Sequence, residues 1–397
     1  MIGSTALAFA GAALLVAVLS GRGIDLRPPA EKSGAAPASA TSTSAPVVTS
    51  APDPSSPAKA ATRPATAAPV VIAPATHSSA ALRARLRDAA KGGFIVGPRV
   101  TDGDRVSMAQ SFRFQGKRRM VRFSVPKADL NWAEGRSLMI EVYPGESRTS
   151  QLDRFWTGVT LDPHQTALYD SLAEAFRSIR RSARLAPDEY AELMAAYVQQ
   201  MPYDTKEAES GASNRYPVST AMRGTGVCGD KSILLAGLLA HEGYRVSLLE
   251  FEPESHMSVG LGTRGAGYRG THLAFVETTG PGLVGEVGKA YGPTGTVVLR
   301  SMPLVIPIAT SGTDYRSGYE VGYVLDRQRA YERTYASLRG RIDAARPTLD
   351  RYDAGAINRF NDMILRLNRA ASTINAVSDH ADDREALHAY LKVRGAP

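Results

Sequence analysis

The chain has 397 residues, 43% of them hydrophobic and 22% charged, with a formal net charge of +8. At ~150 residues per domain that length suggests more than one domain, and the composition excludes wholesale disorder, a polytopic membrane protein and a fibrous repeat. The single cysteine, Cys228, excludes an intramolecular disulfide and any cysteine-built zinc or iron–sulfur centre.

Residues 2–20 carry no charge, and Ala6–Leu19 is almost wholly apolar. As a helix this run spans a bilayer core of ~30 Å at ~1.5 Å per residue. Residues 1–26 therefore read as a membrane anchor, or as a secretory signal cleaved near Val18-Leu19-Ser20. Between Pro28 and Ala80, 41 of 53 residues are Pro, Ala, Ser or Thr, and none is aromatic. Such a segment cannot bury a core, so 27–80 is expected to be a disordered stalk. It would hold an extracytoplasmic module off a membrane, or lead a secreted one if the signal is removed.

Residues 81–162 read as a small β-rich region. Phe112-Arg113-Phe114, a turn at Gln115-Gly116-Lys117 and Met120–Val125 predict a hairpin in which Val121, Phe123 and Val125 alternate with Arg122 and Ser124. Leu138–Val142 predicts another short strand. Leu168, Leu172, Phe176 and Ile179 form one helical stripe, and Pro187-Asp188-Glu189 opens a second helix. A Gly/Ser/Thr loop over 211–226 leads into a very apolar helix from Cys228 to His241, closed by Gly243. Strands follow at Tyr244–Phe251, His256–Leu261 and His272–Glu277. After 317, Ile357, Phe360, Ile364, Leu367, Ala371 and Ile374 form a heptad-like seam, and Pro347 separates that helix from an earlier one, predicting a helical hairpin over 318–397.

The candidate chemistry lies at Cys228. Gly224-Thr-Gly-Val-Cys228-Gly-Asp-Lys-Ser232 runs from a glycine loop straight into the apolar helix. A thiol at a helix N-terminus faces unpaired N–H groups and the positive end of the dipole, which favour the nucleophilic thiolate and can hold an oxyanion. The plain alternative is a buried small hydrophobe.

A nucleophile needs a base, and there are seven histidines. His77 falls in the stalk, His164 precedes a helix, and His380 and His388 sit in the polar C-terminal region. His241 lies 13 positions along the Cys228 helix, roughly 20 Å away. His256 and His272 remain, with Glu277 as the carboxylate best placed to orient an imidazole. Strand alternation turns His272 and Glu277 to opposite sides, whereas His256 can reach Glu277 across the hairpin.

The segments Gly226-Val-Cys-Gly-Asp-Lys-Ser-Ile-Leu-Leu235, Gly243-Tyr-Arg-Val246, His256-Met-Ser-Val-Gly260 and Phe275-Val-Glu-Thr-Thr279 resemble the transglutaminase-like superfamily of bacteria and archaea. The resemblance covers about residues 190–290. It implies an α+β, papain-related core within 163–317, its antiparallel sheet packed on the cysteine-bearing helix. It also implies Cys228 as nucleophile, His256 as general base and Glu277 as orienting acid, where the family most often has Asp. Asp230 and Lys231 match the polar residues that follow the family's cysteine. The implied chemistry is acyl transfer from a peptide or protein amide through a thioester, resolved by water or by an amine, with the Cys228 N–H as one oxyanion donor. Tyr203 or Tyr216 can offer a second. No cofactor and no metal is implied.

The chain lacks His-Glu-x-x-His, a Gly-x-Ser-x-Gly elbow and a phosphate loop ending in Gly-Lys-Ser/Thr. The basic and aromatic residues of 112–123 read as a sheet with one wet face, not a nucleic-acid platform. The remaining rival is a catalytically silent module of the same fold that binds peptides or proteins of the cell envelope.

Overall fold

The computed structural model describes residues 93–397 except 212, 213, 288, 289, 293, 294, 351 and 396. The expected anchor and stalk lie outside the described residues. Among the described residues no helix is long and apolar enough to cross a membrane. The described residues belong to two compact units, one of 93–341 and 369–397 and the other of 342–368.

The first unit is α+β. It opens with β1 (Ile95–Val96), β2 (Val100–Asp102), β3 (Arg105–Phe114) and β4 (Lys117–Pro126), then α1 (Lys127–Glu134) and α2 (Arg148–Thr160). The expected hairpin is β3–β4, its register running from Arg105↔Pro126 to Phe114↔Lys117. Gln115 and Gly116 turn it with φ of 52° and 66°, the left-handed pair that matches the twist of a two-residue hairpin. Val121, Phe123 and Val125 are buried while Arg122 is exposed, and Phe112 and Phe114 are buried too, so the aromatics do not share the basic face.

The strand expected at Leu138–Val142 is absent. Only Leu138 of that run is buried, and Met139 and Val142 stand in solvent with no neighbouring strand to accept them.

Next come α3 (Thr166–Ala183), α4 (Pro187–Gln200), α5 (Thr205–Ser210), α6 (Pro217–Arg223) and α7 (Cys228–His241). The stretch read as loop over 211–226 thus contains α6, started by Pro217 at its first position and stopped by Gly224 at φ 68°. The stripe on α3 is buried at Leu168, Leu172 and Phe176, packed in one core with the β3–β4 hairpin and α4.

Helix α7 is apolar on every side, and Ile233 to Leu239 are all buried, as expected of a helix enclosed within a core. At Gly237 it meets α3 so closely that a Cβ would lie 2.0 Å from the Tyr169 hydroxyl.

A four-stranded antiparallel sheet packs beside α7. Its strands are β5 (Val246–Phe251), β6 (His256–Gly262), β7 (Leu273–Val276) and, after the small β8 (Ala290–Gly292) and β9 (Gly295–Val297) ribbon, β10 (Leu304–Ala309). The order is β10-β5-β6-β7. Leu248, Met257 and Val259 join the main core, while Leu249, Phe251, Leu273 and Phe275 form a second cluster with Tyr268 and Leu299. Strand β6 is buried along its whole length, so its alternation of Met257, Val259 and Leu261 with His256, Ser258 and the glycines separates two buried faces, not a buried face from a wet one.

Among the described residues the C-terminal region holds three α-helices where two were expected: α8 (Gly318–Ala345), α9 (Ala354–Asp379) and α10 (Arg384–Arg394). The third belongs to the first unit. Its Arg384 Nε donates to Glu192 of α4 at 2.6 Å, and Leu387 and Leu391 enter the main core.

Candidate active site

Cys228 is the first residue of α7. The preceding residue, Val227, is the N-cap, and no Ser, Thr, Asp or Asn at that position caps the terminus. Asp230 holds the turn instead. Its Oδ2 accepts the Val227 N–H at 3.2 Å and its Oδ1 accepts the Arg215 N–H at 2.7 Å. This leaves the N–H groups of the first turn facing the region around the thiol.

His256 begins β6, directly across from Phe251 at the end of β5. It is delivered there by Ser255, whose φ of 49° is left-handed. The Cys228 thiol lies 4.0 Å from the Ser255 carbonyl oxygen, which fixes the nucleophile at the same end of the sheet.

The His256 Nε2 is 3.2 Å from Glu277 Oε2. Its Nδ1 is buried without a hydrogen bond of full geometry, and the Cys228 side chain interacts with the ring. Burial works to lower the imidazole pKa, but the Cys228 and Glu277 interactions outweigh it and hold the ring at about 9.

Glu277 follows β7, where Val276 pairs with Val259. Continued by one residue, that register sets Glu277 opposite Ser258 and two positions from His256 on the same face. The Glu277 Oε1 accepts the N–H groups of Thr278 and Thr279, at 3.0 and 2.9 Å, and the Thr279 hydroxyl at 2.6 Å. Burial favours protonation, but the His256 and Thr279 hydrogen bonds prevail and hold the carboxyl below its usual range. The two threonines of Glu-Thr-Thr are therefore part of the carboxylate's cradle.

His272 lies outside the strand in which it was expected. It precedes β7 with φ 57°, and its Nδ1 pairs with the Gly265 carbonyl at 2.9 Å. Strand parity is therefore not what separates it from Glu277; a left-handed turn takes it to the surface instead.

Two expected oxyanion donors also separate. Tyr203 lines the cleft at Cys228, whereas Tyr216 precedes α6 and packs against Trp132 at 4.7 Å between ring centres.

Lys231, one turn into α7, is fully buried. Its Nζ donates to the carbonyls of Gln199 and Met201, at 3.2 and 2.8 Å, at the C-terminal end of α4. Burial pulls its ammonium down to about 7, partly opposed by the charges of Glu277 and Cys228. The Gln199 side chain in turn donates to the Glu277 carbonyl at 2.9 Å, and Ser232 Oγ bonds Met257 O and Thr278 Oγ1, each at 3.0 Å. The polar residues after the cysteine thus brace the helix against both strands.

A cleft of about 340 Å³ opens on Cys228 and His256. Sequence reasoning missed Asn214, Trp156 and Glu250 on its wall. Asn214 carries the one usable signal: it packs against Gly229, where a Cβ would stand 2.5 Å from its Oδ1. A glycine directly after a helix-starting cysteine marks such a close approach. No known family, curated protein or solved structure matches the chain.

Proposed function

We propose that the chain is a transglutaminase-like cysteine hydrolase or acyltransferase that acts on peptide or protein amides through Cys228, His256 and Glu277. The observation that carries this reading is the buried His256 ring. One of its nitrogens is 3.2 Å from Glu277, and the ring shares an open cleft with Cys228, whose thiol starts a helix and lies 4.0 Å from the carbonyl of the adjacent Ser255.

The chemistry follows from these positions. With Nε2–H directed at the Glu277 carboxylate, Nδ1 is the nitrogen that takes the thiol proton, and a ring held at about 9 keeps that proton at neutral pH until the leaving amine needs it. The sulfur attacks the amide carbonyl and the oxygen gains negative charge. The first-turn N–H groups of α7 receive that charge, with Tyr203 and Asn214 on the cleft wall as further donors. The carbonyl C–N bond then breaks as the imidazolium gives its proton to the departing amine, leaving a thioester on Cys228. Water or a second amine, deprotonated by His256, attacks the thioester, and the thiol returns. Glu277 keeps the ring oriented and stabilises its positive charge throughout. The apolar N-terminus and the Pro/Ala/Ser/Thr-rich stalk make an extracytoplasmic substrate the natural one.

The test is covalent. The protein is incubated with glutamine-containing and C-terminally amidated peptides, quenched in acid and digested. A peptide-sized mass gain on the Cys228 fragment, released by hydroxylamine and absent in Cys228→Ala, is expected. A Cys228 that never acylates, and alkylates no faster than 2-mercaptoethanol, identifies a silent binding module instead.

A further inference from the structure

The cleft beside Cys228 is acidic although the chain is basic. Glu207, Glu250 and Glu252 line it, and among the described residues no lysine or arginine does. The three carboxylates are not equivalent. Glu252 stands at the solvent-exposed rim, paired with Arg148 at 3.0 Å. Glu207 shares Arg215 with Asp204 and with Asp230, so one guanidinium faces three carboxylates.

Glu250 is different again. It sits on β5 between Leu304 of β10 and Met257 of β6, half-buried. Its Oε2 accepts the indole N–H of Trp156 at 3.2 Å, and among the described residues no cationic group lies within ion-pair distance of it. Trp156 is itself buried, so this indole fixes the carboxylate in place. The same cleft receives the fully buried His256 ring, so a ligand seated at Glu250 lies beside Cys228 and its proposed base.

We propose that this cleft selects a substrate bearing a positively charged, lysine- or arginine-like side chain next to the scissile amide, and that Glu250 reads that charge. The proposal rests on the reading of Cys228 as the nucleophile. A partly desolvated carboxylate gains most from a cation that arrives with the ligand, because the nearest fold cation, Arg148, is paired with Glu252 and not with Glu250. The adjacent indole suits the same cation, whose attraction to an aromatic face adds to the ion pair. Burial pushes the Glu250 carboxyl above its ordinary range, opposed by the Trp156 hydrogen bond and the charge of Arg148, and a cation seated beside it would favour its charged form. Glu207 and its carboxylate neighbours add long-range attraction of the same sign.

Three methanethiosulfonates test this without knowledge of the natural substrate: the trimethylammonioethyl and sulfonatoethyl reagents, comparable in size, and the smaller, uncharged methyl reagent. Each forms a mixed disulfide with Cys228 and releases methanesulfinate. The reading is the ratio of cationic to anionic reagent rates, divided by the same ratio for 2-mercaptoethanol at equal ionic strength. Wild type should exceed unity by about tenfold or more, and Glu250→Gln should lower the ratio by about fivefold, ~1 kcal/mol in all, shared between the cation's loss and the anion's gain. A wild-type ratio at or below unity overturns charge selection, and a ratio unmoved by Glu250→Gln overturns the role of Glu250. The uncharged methyl reagent separates the two claims: if it reacts no faster with Cys228 than with 2-mercaptoethanol, the nucleophile reading fails whatever the charge ratio is.

Discussion

His256 and Glu277 meet diagonally across the end of a buried hairpin, Nε2 to Oε2 at 3.2 Å, with the second carboxylate oxygen fully occupied by Thr278 and Thr279. This division of labour between the two oxygens governs what an amide can do in place of the acid. In Glu277→Gln the amide oxygen must stay with the three donors, which points the NH₂ at His256. The imidazole then turns its lone pair to Nε2 and its proton to Nδ1, the wrong tautomer for taking a proton from the thiol. The expected outcome is a fall of about 10³–10⁴ in turnover with little loss of stability. A variant that keeps a tenth of wild-type turnover would mean that Glu277 does not set the tautomer.

Two buried cations give stability opposite dependences on pH. His256 keeps its proton to about 9 in the fold but loses it near 6.5 when unfolded. Its contribution is therefore full below 6.5 and is lost as pH rises through 9. Lys231 binds its proton at about 7 in the fold against 10.5 unfolded, so its penalty is largest at or below 7 and fades as pH rises towards 10.5. Between 7 and 9 the two slopes oppose, each at most about 1.4 kcal/mol per pH unit. Urea unfolding at pH 7, 8 and 9 should show a shallow dependence in wild type. Stability should rise with pH in His256→Ala and fall in Lys231→Met. Parallel profiles in all three proteins would contradict this assignment.

The contact between α3 and α7 sets a steric limit. In Gly237→Ala the new methyl would lie 2.0 Å from the Tyr169 hydroxyl, which is itself anchored on the Thr160 carbonyl at 2.9 Å. Neither ring nor helix has room to yield inside the core, so a loss of about 1–3 kcal/mol is expected, visible as a melting temperature lower by several degrees. Unchanged melting would show that the helices slide apart freely.

At Gly229 the same kind of close approach touches the chemistry. Gly229→Ala should displace Asn214 from the helix terminus while leaving the fold intact, because the obstacle there is a partly exposed side chain. Acylation of Cys228 should slow by about tenfold or more if the Asn214 amide assists the oxyanion, with His256-dependent alkylation retained. Equal acylation rates would remove Asn214 from that role.

Much of this site was legible because its residues signal locally. Cys228 stands between a glycine loop and an apolar run, and Gly243 marks the end of that helix. His256 begins one strand and Glu277 directly follows the next, at a spacing that permits their contact. What the sequence hid is tertiary or depends on backbone sign. Trp156 and Glu250 are 94 residues apart and joined only by packing. The left-handed turn at His272 left no mark in the alternation of its neighbours, and neither did the one at Ser255. Leu138–Val142 has strand composition but no partner edge, and composition alone does not supply one. The cleft's acidity was masked by the chain's net charge of +8, which sums residues far from the site.

The most direct measurement is the rate of iodoacetamide labelling at Cys228 between pH 6 and 8 in wild type, His256→Ala and His272→Ala, compared with 2-mercaptoethanol. A thiol that shares its proton with a buried, carboxylate-held imidazole should label faster than the free thiol at pH 6, and His256→Ala should remove the advantage while His272→Ala retains it. Wild-type labelling no faster than the free thiol, or an advantage that survives His256→Ala, would contradict a Cys228–His256–Glu277 catalytic centre.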